Sequence, residues 1–116
     1  MGLIEDIALI GADTVDGLTR FMDNSALYER MLKKLPQVIE DNPVMPFVRS
    51  GDLETALSNA HTLKGVVGNL SLTPLYNNYT EAVNLFRSGE TAKAEELLES
   101  TLEIQRQFVE CIKKYD

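Results

Sequence analysis

Asp52-Leu53-Glu54-Thr55-Ala56-Leu57-Ser58-Asn59-Ala60-His61-Thr62-Leu63-Lys64-Gly65-Val66-Val67-Gly68-Asn69-Leu70 is the most informative stretch of the 116-residue chain. Leu53, Ala56, Leu57, Ala60, Leu63, Val67 and Leu70 recur at spacings of three and four, which puts them on one stripe of an α-helix. An amphipathic helix needs a partner surface. The rest of the chain supplies more helices, because period-3.6 patterns run from end to end and no period-2 alternation is sustained.

Downstream, Thr73-Pro74 opens a helix with Leu75, Tyr79, Ala82, Val83 and Phe86 on a stripe, stopped by Ser88-Gly89. A last long helix carries Ala94, Leu97/Leu98, Thr101, Leu102, Ile104, Phe108, Cys111/Ile112 and Tyr115. Upstream, Gly51 ends a short turn of helix over 43–50, for which Asn42-Pro43 reads as a cap followed by proline at the first helical position. Pro46 limits that turn's regularity. A helix over 26–40 carries Leu27/Tyr28, Met31/Leu32, Leu35 and Val38/Ile39, with a kink expected at Pro36. Any of Asp23, Asn24 or Ser25 can cap it. Two shorter helices precede it, over 3–10, stopped by Gly11, and over 14–22. Long amphipathic helices joined by short turns make an all-α antiparallel bundle the natural solution. No repeat, low-complexity segment or long linker divides the chain, so residues 1–116 read as a single domain.

Eleven Lys and Arg against 18 Asp and Glu give a net charge of −7, which disfavours a nucleic-acid partner and an anionic membrane surface. Residues 1–12 lack the basic segment of a signal peptide, and no apolar run reaches the length of a membrane span. Cys111 is the only cysteine, so there is neither an intramolecular disulfide nor a cysteine zinc site, and a cytoplasmic location is the default expectation. The run Glu95, Glu96, Glu99 and Glu103 reads as a solvated helix face.

The only histidine is His61. On an ideal helix the apolar stripe centres about 120° from it, which places the imidazole on an exposed or boundary flank. Gly68 lies about 20° from His61, Gly65 about 40° and Lys64 about 60°. That face presents an imidazole, a cation one turn on and two positions without side chains. Each interior glycine costs about 1 kcal/mol against alanine. Both lie away from the calculated core centre, so bundle packing accounts poorly for Gly68, and the arrangement suits a reacting group presented to a large partner.

An exposed imidazole is a nucleophile near neutral pH; Lys64 can partly neutralise a phosphoryl group placed on it, and small neighbours leave the in-line approach open. Competing chemistries lack their residues. Glu54, seven residues before His61 and on its face, can offer one oxygen ligand, but no second histidine completes a zinc site. Its bland reading is a solvated acid at a helix start. No Gly-x-Ser-x-Gly elbow, P-loop or Gly-x-Gly-x-x-Gly turn appears, so autonomous kinase or ATPase activity is not expected.

Ala60-His61-Thr62-Leu63-Lys64-Gly65-x-x-Gly68-Asn69-Leu70 closely resembles the histidine-containing phosphotransfer domain of multistep phosphorelays. Gly17-Leu18-x-Arg20-Phe21 and Asn24-x-x-Leu27-Tyr28-x-x-Met31-Leu32 look like that family's first helices, and the resemblance spans about residues 13–114. It implies an antiparallel four-helix bundle with a short N-terminal helical extension. It further implies that His61 accepts a phosphoryl group, through Nε2, from a receiver domain's phospho-aspartate and passes it to another receiver. Lys64 would support the phosphoryl group, while Gly65 and Gly68 would leave room for the receiver. The chain itself would bind no metal or cofactor, the required Mg²⁺ sitting in the receiver. Partners would be the receiver domains of a hybrid histidine kinase and a response regulator, met by a monomer. Ser71 stands where the family often has another glycine, and Leu35 where phenylalanine is common. Asn69 matches the motif but is assigned to helix-end packing or polar satisfaction. Two other readings stay open: a non-catalytic bundle that only docks receivers or another helical protein, and a small hydrolase using His61 as general base.

Overall fold

Short polar side chains start three of the helices by accepting from orphan N–H groups of the first turn. The computed structural model describes residues 2–116; Met1, part of the segment read against a leader, lies outside them. Eight helices occur among the described residues: α1 (Leu3–Leu9), α2 (Thr14–Arg20), α3 (Ser25–Leu32), α4 (Leu35–Asp41), α5 (Met45–Ser50), α6 (Leu53–Asn69), α7 (Thr73–Arg87) and α8 (Thr91–Lys113). Asp13 caps α2 by accepting from Asp16 N at 3.1 Å, Asn24 caps α3 through Leu27 N at 3.0 Å, and Asp52 caps α6 through Thr55 N at 3.2 Å. Gly51 and Gly89 close α5 and α7 with φ of 85° and 81°, a backbone region costly to other residues.

The broken helix α3–α4 and the long helices α6, α7 and α8 form the expected four-helix bundle. The short turns at 70–72 and 88–90 fold α6, α7 and α8 back antiparallel, so α7 packs against both α6 and α8. α1 and α2 are the N-terminal extension, α1 lying on α8 and α3. Ala56, Ala60, Leu63 and Val67 of the α6 stripe are buried as the periodicity requires; Leu53, its first member, is exposed. They meet a core that includes Tyr28, Leu35, Leu75, Val83, Phe108 and Ile112. Glu96, Glu99 and Glu103 are exposed, and Glu103 pairs with Arg106.

Several local expectations are corrected. The kink at Pro36 is a full break: α3 ends at Leu32, and Pro36 falls in the first turn of α4, where its missing N–H needs no partner. Asn42 caps no following helix; it ends α4, and its Nδ2 donates to Val38 O at 2.9 Å. Pro46, rather than Pro43, occupies the first turn of α5, and the Pro43 carbonyl instead accepts Asn59 Nδ2 of α6 at 2.6 Å. The helix expected over 14–22 stops at Arg20, because Met22 and Asp23 both take φ of 57°.

Tyr28 is fully buried, and its hydroxyl donates to Leu70 O at 2.7 Å, tying α3 to the end of α6. Burial, followed by the nearby Asp13 and Asp16 charges, pushes its phenol up to about 12. The folded state therefore keeps a proton that the unfolded chain releases near pH 10, and the associated stability is complete below pH 10 and lost as pH rises towards 12. Denaturant unfolding at pH 8 to 12 is expected to show the stability gap between wild type and Tyr28→Phe shrinking by about 2 kcal/mol across that window. A constant gap would contradict the assignment.

Candidate functional site

His61 is held on α6 by what lies beneath it. Ala60 and Leu63 anchor the helix in the core, and the imidazole, on the opposite flank, is exposed and makes no hydrogen bond among the described residues. The orientation read from the stripe is the one observed. One turn on, Lys64 is half-buried, and Gly65 is exposed, with nothing beyond its own stretch of helix within 4 Å of where a Cβ would stand.

Gly68 differs from expectation. A Cβ there would lie 2.7 Å from Cδ1 of Tyr76, so the ring from α7 lies directly against the glycine. Packing against a neighbouring helix thus accounts for Gly68 after all; the open side of the helix is at Gly65. The helical wheel gave the direction of Gly68 but not the aromatic residue arriving from the next helix.

Clefts flank the imidazole. One of about 560 Å³ runs between α3–α4 and α6 and is floored by Met31, Leu35, Val38, Val66 and Leu70, with His61 and Lys34 at its margin. Leu35, the departure from the family pattern, is therefore part of that floor. On the other side His61 shares a cleft with Glu54, Ser58 and Arg87. Glu54 is exposed in the first turn of α6, as a helix-start acid should be. No group of three or more His, Cys, Asp or Glu side chains that could hold a metal occurs among the described residues.

A third cleft, about 460 Å³, adjoins Gly65 and is lined by Lys64, Arg20, Asp16, Ser71 and Tyr76 among others. Ser71 adopts φ 57°, which explains why glycine suits this position; here its hydroxyl compensates by donating to Asp16 Oδ2 at 2.6 Å. The same oxygen accepts Arg20 Nε at 2.8 Å. Those two bonds, from Ser71 first and Arg20 second, hold the Asp16 carboxyl below its ordinary range. Asn69 is exposed, lines the clefts on both sides of Gly65 and makes no side-chain hydrogen bond among the described residues, so of the two roles expected of it, packing or polar satisfaction at the helix end, the second is not seen. The residues that sequence reasoning left out of the site are Arg20, Lys34, Tyr76 and Arg87. Only Arg20 carried a usable signal, the i,i+4 spacing to Asp16.

The site offers an accessible ring nitrogen, a cation one helical turn away and an unobstructed stretch of backbone beside them at Gly65, a combination suited to nucleophilic attack on an anionic centre carried by a bulky partner. No helix among the described residues is long and apolar enough to cross a membrane. No curated protein and no solved structure matches the chain. A family model does: that of the Hpt domain, over residues 18–114. That span takes in α3 to α8, the exposed histidine and the clefts around it, and the chain belongs to the Hpt domain family, whose members carry out histidine phosphotransfer in phosphorelays.

Proposed function

We propose that His61 is the phosphoacceptor, taking a phosphoryl group from the phospho-aspartate of one receiver domain and handing it to another. Receiver domains are the partners of this family. The observation that carries the reading is the exposed imidazole beside the open backbone at Gly65. Nε2 attacks phosphorus; an N–P bond forms as the acyl-phosphate O–P bond breaks, and the aspartate leaves as a carboxylate. Passing the group on reverses the same exchange with a second aspartate. Lys64 offsets charge on the phosphoryl oxygens, and Gly65 admits the receiver's rim. The Mg²⁺ such a transfer uses belongs, in this reading, to the receiver. The chain is a carrier without autonomous kinase activity.

The test is phosphoryl transfer from a panel of phosphorylated receivers, followed by treatment of the product with acid. Acid-labile label on the wild-type chain supports the carrier, whereas binding without label across a competent panel would leave only a docking module. In the same assay Lys64→Ala is expected to slow transfer about tenfold or to shorten phosphohistidine lifetime comparably, with unchanged helical content. Wild-type kinetics and lifetime in that variant would reduce Lys64 to covering the core edge with its aliphatic stem.

A further inference from the structure

Arg20 lines the cleft beside Gly65, with its guanidinium tethered at one edge. Asp16 engages it through Nε alone, at 2.8 Å, and neither Nη1 nor Nη2 donates to any group among the described residues. Asp16 is in turn fixed by Ser71 Oγ, from a residue only 5% exposed. The tether therefore runs from a buried position through a carboxylate to Arg20, and it leaves the two terminal amino groups as a free fork. A planar guanidinium held by Nε matches a carboxylate in bidentate geometry.

The cleft's charge fits that occupant. It contains two cations, Arg20 and Lys64, and one carboxylate, Asp16, which is already bonded twice. This is a local reversal of sign on a chain of net charge −7. Lys64 and Gly65, one turn along α6 from His61, line the cleft, so it lies next to the surface a receiver at His61 would meet. An acidic side chain there would exchange water for two charge-assisted hydrogen bonds.

Resting on the receiver-docking reading above, we propose that Arg20 is a partner-recognition residue whose fork takes a carboxylate from an aspartate or glutamate on the docked receiver. Arg20 does not touch the reacting atoms, so its loss weakens association with the receiver.

The experiment measures binding instead of transfer: calorimetric titration of unphosphorylated receiver domains into the full chain, wild type, Arg20→Ala and Arg20→Lys. Both variants are expected to raise Kd about tenfold, with an unchanged thermal midpoint, because lysine lacks the fork. Wild-type affinity in Arg20→Ala, or rescue by Arg20→Lys, would overturn the proposal, since a residue that only steadies Asp16 is replaceable by another cation. Tight binding of inorganic phosphate alone, seen as a saturating shift of the Arg20 Nε–H resonance, would also overturn it by making the site one for a free anion. If receivers bind here but leave no label in the transfer assay above, the His61 reading fails, and a rise in Kd of about tenfold for both variants still supports the Arg20 proposal. Failure of every receiver to bind would overturn both.

Discussion

His61→Gln is expected to abolish acid-labile phosphate incorporation, a loss on the order of 10³-fold or more, while helical content and receiver affinity stay at wild-type levels. Removing the nucleophile from a transfer reaction leaves no alternative route of comparable rate. Glutamine keeps the approximate size and polarity of the side chain but offers an amide with no nucleophilic nitrogen. The fold tolerates it because His61 is exposed, makes no hydrogen bond among the described residues and sits on the flank opposite Ala60 and Leu63. Circular dichroism, calorimetric binding and phosphate incorporation on one preparation separate the three quantities. Retained incorporation would remove His61 from the role, and lost binding would mean that the imidazole is part of the docking surface.

Gly17→Ala is expected to destabilise the fold by about 2–3 kcal/mol, although alanine is the better helix former by about 1 kcal/mol. Gly17 is buried in α2, and a Cβ there would lie 3.0 Å from Cε1 of Tyr28 and nearer still to its hydroxyl end. The ring has little room to retreat: it is fully buried and stacks on Phe21 with centroids 5.5 Å apart. Moving it breaks the bond from its hydroxyl to Leu70 O, the residue that ends the histidine's helix. A buried hydrogen bond of this kind contributes about 1 kcal/mol, and leaving its acceptor unpaired costs more. Denaturant unfolding checks the value, and a double-mutant cycle with Tyr28→Phe checks the cause. The Phe substitution should cost less when combined with Gly17→Ala than alone, because the bond is already lost and removing the hydroxyl makes space. A neutral or stabilising Gly17→Ala would contradict this packing.

The parts legible in the sequence were those governed by one helix at a time. The stripe from Ala56 to Val67 gave α6, its buried face and the exposure of His61, because helical period and burial are linked directly. Gly51 and Gly89 marked real ends because few other residues take their backbone angles easily. What the sequence hid depends on pairs from different elements. Gly68 meets Tyr76 from α7, Gly17 meets Tyr28 from α3, and the Asp16 carboxylate bridges Arg20 of its own helix to Ser71 at the end of α6. Pro36 shows the limit even within one segment. A proline is compatible with a kink inside a helix or with the first turn of a new one, and the break after Leu32 selects the second. The histidine motif with its downstream lysine and glycine was legible as a candidate site. Its flanking clefts, and the free fork of Arg20, required the bundle to be assembled first.

Nitrogen–phosphorus correlation NMR on ¹⁵N-histidine-labelled protein, phosphorylated by a competent receiver, reads out whether the phosphoryl group resides on Nε2 of His61. With a single histidine in the chain, one phosphorus resonance is expected, coupled to Nε2 and abolished by acid. An uncoupled, acid-stable phosphorus signal, or phosphorus bonded to Nδ1, would contradict it.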